Sequence, residues 1–311
     1  MRVIFFGTAE FAVPSLEQLV AHQHTILLCV TQPDRPQGRG RSPAPSPVKR
    51  AALRLGLALS QPERLARRVC DGLHPELGVV VAYGQLIRTE VLGLPTHGMA
   101  GVHPSLLPKY RGAAPIAWAL LNGETATGVT IFRLCERLDA GEIIAQEPVA
   151  IEPAEYAEAL TKRLAYAGAA ALVRAVGAIA AGQATFTPQD DSQASFAPKL
   201  TKAQGRIDWQ ASAQMIERLV RATVPWPGAT TSWHGESLKI WRASVGIAST
   251  RSVDRSPGTV LQVETDALSV ATGQGRLDIT GVQPAGRRRM SMQEFLAGHP
   301  VRVGEHFGGV T

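Results

Sequence analysis

The feature that most constrains the fold is the run Leu77-Gly78-Val79-Val80-Val81-Ala82, apolar throughout and without alternation. A strand with one wet face alternates polar and apolar residues, because successive side chains point to opposite faces. A run without alternation needs both faces covered, as in a parallel sheet flanked by helices. The neighbouring segments fit that demand. Residues 2–7, 25–31, 57–59 and 99–102 read as short apolar strands. Residues 10–21, 48–55, 62–70 and 113–121 read as helices between them. Residues 129–134 and 142–151 read as strands able to pair, and 155–181 as a long alanine-rich helix. Strands alternating with helices predict an α/β fold with a doubly wound, mostly parallel, Rossmann-like sheet.

The pattern changes after Gly182. Residues 184–205 carry polar and turn residues without helical period and read as a linker. One helix is expected over 212–223 and another over 291–297, with short strand-like runs at 229–233, 237–245, 258–263, 267–271 and 276–282. That spacing predicts a small C-terminal β-barrel, OB-like, over 206–311, following a larger domain over 1–183. A length of 311 residues accommodates two such cores.

Composition narrows the setting. No apolar run reaches the roughly 20 residues of a membrane span. The N-terminal run Val3-Ile4-Phe5-Phe6 is too short for a signal peptide, so a cytoplasmic protein is expected, away from membranes and as a monomer. Cys29, Cys70 and Cys135 are scattered beside apolar segments and read as buried free thiols; no Cys/His spacing points to a metal. The net charge of +6, from 32 basic and 26 acidic residues, permits a polyanionic partner.

Chemistry concentrates at Gly101-Val102-His103-Pro104-Ser105-Leu106-Leu107-Pro108-Lys109-Tyr110-Arg111-Gly112. A histidine leaves a short strand and enters a proline-bounded loop, so it stands at a strand end, where open α/β sheets put their chemistry. Taken alone, such a histidine is more often structural or solvated, and the Ser-Leu-Leu-Pro run can be read as packing of a sheet edge. A second loop, 32–50, is dense in Pro, Gly and Arg. Arg35, Arg39, Arg41, Lys49 and Arg50 face only Asp34 in opposing charge. A mobile arginine loop neutralises phosphates and stacks on unpaired bases; the plainer alternative is a solvated loop.

Five spaced blocks occur in order: Val80 to Gly84, His103 to Pro108, Arg111 to Ile116, Gly128 to Ile131 and Leu138 to Gly141. Together they resemble the catalytic domain of the 10-formyltetrahydrofolate-dependent formyltransferases, over roughly residues 1–185. The loop from Gln32 to Gly40 and the C-terminal segments around Ala203 to Trp209, Trp226-Pro227 and Val282 to Gly286 resemble the branch acting on initiator methionyl-tRNA. The resemblance implies formyl transfer from 10-formyltetrahydrofolate, a cosubstrate, to the α-amino group of the tRNA-borne methionine. His103 would serve as acid/base and oxyanion group, and Asp139 would tune it. The pterin would lie near Tyr83, Gly84, Leu86 and the Asp139 loop, with folate contacts from Ser105, Leu106, Leu107 and Pro108. Arg35, Arg39, Arg41 and Lys49 would contact tRNA, as would Lys239, Arg242, Arg287, Arg288 and Arg289 on the barrel, although the last three equally read as a solvated turn.

One position departs. The family carries Asn two residues before the histidine, where its amide helps hold the formyl oxygen; this chain has Gly101. Loss of one oxyanion donor commonly costs about 3–4 kcal/mol. Gly101→Asn is accordingly expected to raise turnover by about tenfold or more. Two alternatives stay open: a formyltransferase for an amino-sugar nucleotide, and a weakly active relative that keeps the binding sites.

Overall fold

The computed structural model describes residues 1–36, 43–247 and 256–308. The chain divides into two compact units. The first comprises Met1–Pro115, Ala126–Ala150 and Thr161–Pro198; the second comprises Ile116–Thr125, Ile151–Leu160 and Lys199–Thr311.

The first unit holds a seven-stranded sheet. Its strands are β1 (Arg2–Gly7), β2 (Thr25–Val30), β3 (Leu59–Ser60), β4 (Leu77–Val81), β5 (Met99–His103), β6 (Ala126–Arg133) and β7 (Ile143–Ala150). Their order is β3-β2-β1-β4-β5-β6-β7. The first five run parallel, and β6 and β7 are added antiparallel. Chain direction across the sheet reverses between β1 and β4, which opens a crevice at the carboxyl ends of the strands. Both faces are covered, as the unbroken apolar run requires. Ile4 and Phe6 join one cluster with Val30, Tyr83, Val91 and Met99. Val3 and Phe5, pointing the other way, are also fully buried. Each such side chain removed from water contributes about 1.5–3 kcal/mol.

Helices α1 (Val13–Ala21), α2 (Pro47–Arg54) and α3 (Thr89–Leu92) belong to the first unit; α4 (Pro115–Leu121) falls almost wholly in the second, and α5 (Ala157–Ala180) starts there and continues into the first. Ser46 caps α2 by accepting from the Lys49 amide. By length and mean hydropathy α5 is long and apolar enough to cross a membrane, although Lys162, Arg163 and Arg174 interrupt its apolar run. Half of it is buried within the protein, including Leu160, Leu164, Leu172 and Val176, as in a core helix.

Two further expectations are corrected. Residues 62–70 form only a single 3-10 turn, Arg67–Cys70. Gln85 takes the groups a helix there would use: its Oε1 accepts from the Leu65 amide and its Nε2 donates to the Pro62 carbonyl. Cys29 and Cys70 are buried, but Cys135 is exposed. Burial pushes the Cys29 thiol up to about 12. The stretch read as a linker is hydrogen-bonded to the first unit over its first half. Thr187 exchanges both backbone bonds with Ile143, and Ala197 donates to the Arg111 carbonyl at 2.7 Å.

The C-terminal stretch of the second unit holds α6 (Ala213–Ala222), capped by the Ser212 hydroxyl. Strands β8 (Ala229–Trp233), β9 (Glu236–Val245), β10 (Val260–Val263), β11 (Leu268–Ala271) and β12 (Arg276–Pro284) form an antiparallel sheet in the order β8-β9-β12-β11-β10. A short β13 (Met290–Ser291) pairs with β12 and leads into α7 (Met292–Gly298). Ile216 and Val220 of α6, Ile240, Leu277 and Ile279 of the sheet, and Phe295 of α7 share one core. The chain end ties the sheet edges together. Gly304 and Glu305 exchange bonds with Val260, Phe307 donates to Gly258, and Gly308 donates to Ser232 on the opposite edge. The sheet is thereby closed at those positions, where an open edge would invite pairing with another chain.

Candidate active site

His103 is the last residue of β5 and is buried. Tyr110 adopts a left-handed backbone, φ 62°, and its carbonyl lies 2.8 Å from His103 Nε2. A carbonyl oxygen only accepts, so Nε2 carries the proton and Nδ1 is the free nitrogen of the neutral ring. Nδ1 lies 3.6 Å from Asp139 Oδ2. Asp139 is itself left-handed, φ 51°, and Oδ2 accepts from the Gly112 amide at 2.8 Å. Burial lowers the His103 pKa most strongly, while Asp139 and the Tyr110 carbonyl pull it up. The net effect is a neutral imidazole beside a carboxylate, the arrangement of a general base with a stabiliser for its cation.

This pair opens onto a cleft of about 410 Å³. Ala82, Gly84, Leu86, Phe132, Leu134 and Leu138 supply its apolar walls, with Gln85, Glu136 and Arg137 as polar groups. Leu86 and Leu138 are highly exposed and form its lips. Gly84 has φ 81°, and a Cβ there would come within 2.5 Å of Gln32 Nε2. An apolar cleft lined by a few polar groups suits a flat heteroaromatic ring such as a pterin.

The expected folate residues divide. Gly84 and Leu86 line the cleft. The Tyr83 ring does not; it packs edge-on against Phe6 in the core, and only its backbone carbonyl faces polar partners, Thr8 and Gln32. None of Ser105, Leu106, Leu107 and Pro108 is among the cleft's lining residues. Ser105 and Leu107 are buried, and the Ser105 hydroxyl donates to the Lys109 carbonyl. Thr130 and Gln146 hold this loop: Thr130 Oγ1 donates to the Ser105 carbonyl and accepts from the Leu107 amide, and Gln146 donates to the Leu107 carbonyl.

Gly101 pairs across the sheet with Phe132. A Cβ at 101 would lie 2.6 Å from the Phe132 ring and 2.7 Å from Leu134. The space a side chain would need is therefore filled. Phe132, which also meets the His103 ring edge-on, was invisible to sequence reasoning as a site residue, as were Arg111 and Gln189. Arg111 stands in sequence only as one member of the Arg111–Ile116 block, and Gln189 lies in the polar stretch that reads as a linker.

The basic residues are mostly engaged. Asp34 accepts from Lys49 and Gln61, both at 2.7 Å, and these bonds hold its carboxyl below the usual range. Lys49 thus anchors the loop rather than presenting a free charge. Arg35–Pro36 pairs antiparallel with Pro43–Ala44, and Arg35 is exposed. Arg39 and Arg41 lie outside the described residues. On the second unit, Lys239 donates to the Pro227 carbonyl, Arg288 pairs with Glu294, and Arg289 stacks 3.5 Å over the Trp241 ring. Arg242 and Arg287 are exposed. The same unit has an open groove of about 1140 Å³ lined by Lys202, Arg206, Trp226 and Lys239.

Two family models match: formyl transferase over residues 1–176 and formyl transferase, C-terminal domain, over 199–300. The chain is 46% identical over 314 residues to a protein of Roseiflexus castenholzii named methionyl-tRNA formyltransferase, covering 99% of each. Among solved structures it is similar to HypX from Aquifex aeolicus in complex with tetrahydrofolic acid, with a TM-score of 0.69 and 19% identity over 98% of this chain and 48% of that longer one. It is also similar to a methionyl-tRNA formyltransferase from Clostridium thermocellum, with a TM-score of 0.56 and 13% identity over 79% of this chain and 94% of that one.

Proposed function

Because the chain belongs to the formyl transferase family, we propose that it moves the formyl group of 10-formyltetrahydrofolate to the α-amino group of methionine on initiator methionyl-tRNA. The observation that carries this reading is the buried His103–Asp139 pair opening onto an apolar cleft, in a chain that keeps 46% identity to a methionyl-tRNA formyltransferase along its whole length. The folate, when bound, supplies an electrophilic formyl carbon and a nitrogen leaving group. Gly84, Leu86 and the Asp139 loop, which line the cleft, would hold its ring. His103 Nδ1 takes the proton that the attacking amine sheds, and Asp139 stabilises the imidazolium. The same ring returns the proton to the departing nitrogen. The dry surroundings strengthen each of these interactions relative to water.

A tRNA acceptor accounts for features that a small sugar nucleotide leaves idle. Arg35, exposed beside the pairing of Arg35–Pro36 with Pro43–Ala44, and the groove of Lys202, Arg206, Trp226 and Lys239 offer cations and an exposed ring to a polynucleotide, and Arg39 and Arg41 add two more cations in sequence. Residues 1–183 act as the catalytic part and 206–311 as the tRNA-binding part of a cytoplasmic monomer. Gly101 supplies no amide to the formyl oxygen, so turnover is lower than the family chemistry allows. The test is an acceptor panel. Charged initiator tRNA should be formylated in a folate-dependent reaction, and an amino-sugar nucleotide should not; formylation of the sugar nucleotide alone would reject the assignment.

A further inference from the structure

Asp139 has to hold a left-handed backbone while its carboxylate faces His103, a conformation that L-residues other than glycine adopt at a cost. Its own loop contains little to enforce that. The restraint comes from residue 189, in the polar stretch first taken for a spacer. Gln189 Nε2 donates to the Asp139 carbonyl at 2.9 Å and to the Gly141 carbonyl at 2.7 Å. Its Oε1 accepts from Arg111 Nε at 3.1 Å and from the Arg111 terminal nitrogen at 2.7 Å. Both amide hydrogens and both oxygen lone pairs are used, so the amide has one productive orientation. Arg111 is buried and reaches on to Asp191 at 2.7 Å, and Asp191 also binds Arg137 of the same loop at 2.7 Å. Arg111 directly precedes Gly112, whose amide donates to Asp139 Oδ2.

We propose that Gln189 is a positioning residue for formyl transfer, clamping the carbonyls on either side of Ala140 so that the Asp139 carboxylate stays between the Gly112 amide and His103. The clamp locks two loops from different parts of the chain to one another through one amide. It touches neither the cleft nor the reacting atoms, and it acts only through Asp139. The proposal rests on the formyl-transfer reading for its kinetic consequence but not for its geometry.

The decisive comparison is Gln189→Glu beside Gln189→Leu. Glutamate keeps the acceptor for Arg111, now as an ion pair, but presents no N–H to the two carbonyls. If Gln189 positions Asp139, Gln189→Glu keeps its melting temperature near that of the parent yet loses at least tenfold in kcat, with KM for folate and for tRNA within twofold. The Gly112 amide resonance, which reports its bond to the carboxylate, shifts in the same variant. Gln189→Leu loses as much kcat whether or not it is also less stable. A purely structural role gives the opposite pattern, in which Gln189→Glu keeps parental kcat and an unmoved Gly112 resonance; that result would overturn the proposal. Should the parent protein transfer no formyl group, the functional reading fails by itself, while the Gly112 resonance still decides the clamp.

Discussion

At the scale of single residues, His103 is set by two neighbours and by its burial. The Tyr110 carbonyl fixes its tautomer, burial opposes its charge, and Asp139 supports it. Its pKa in the folded protein lies below the ordinary histidine value, so the neutral base persists to lower pH than a free imidazole would. The acid limb of kcat should therefore fall below about pH 6.5. Asp139→Asn removes the support and should move that limb lower still while cutting kcat; an unmoved limb would show that the two groups are not coupled. The same shift bears on stability. Below pH 6.5 the unfolded chain binds a proton that the folded site resists, so stability falls as pH drops from there toward the folded pKa. Gly101 is the second residue-scale matter. The structure revises the expectation for Gly101→Asn, because the Phe132 ring fills the space its side chain would need. Overpacking of that kind costs about 1–3 kcal/mol, comparable to what an added donor contributes. Gly101→Asn alone should lower the melting temperature and gain little turnover, whereas Gly101→Asn with Phe132→Leu should exceed the parent about tenfold. Equal turnover in single and double variants would separate Phe132 from the effect.

At the scale of elements, the parts that proved legible were those governed by periodicity. The unbroken run at β4 demanded a covered sheet, and β1, β2, β5 and the pair β6–β7 stand within a few residues of where their apolar runs put them. The histidine's place at the end of β5 was legible for the same reason. What the sequence concealed depends on side chains that substitute for backbone partners or cross between distant segments. Gln85 unmakes the helix read over 62–70 by taking its hydrogen bonds, and Gln189 turns half a spacer into a brace. Phe132 over Gly101 is a cross-strand contact that no local pattern encodes. Composition found the basic loop but could not tell that Lys49 is tied to Asp34. The closing segment at 304–308 was likewise unread. Because it bonds to β8 and β10 at once, truncation after Val303 should expose both sheet edges. A lower melting temperature and concentration-dependent aggregation in that variant would bear this out; an unchanged melting curve would show the segment dispensable.

At the scale of the whole molecule, a unit holding the His103–Asp139 pair in an apolar cleft is joined in one chain to a unit bearing a basic, aromatic groove. The excess of 32 basic over 26 acidic residues suits a polyanionic substrate. Phosphate contacts release counterions, so KM for tRNA should rise steeply with salt while KM for the folate does not. A flat tRNA response would remove the electrostatic basis of the partnership. The most direct measurement is the yield of formyl-methionyl-tRNA from purified protein, charged initiator tRNA and 10-formyltetrahydrofolate, for the parent and for His103→Ala. Folate-dependent product from the parent, with the rate cut about a hundredfold or more in His103→Ala, is the predicted result. No product from the parent, or equal rates from both proteins, would contradict it.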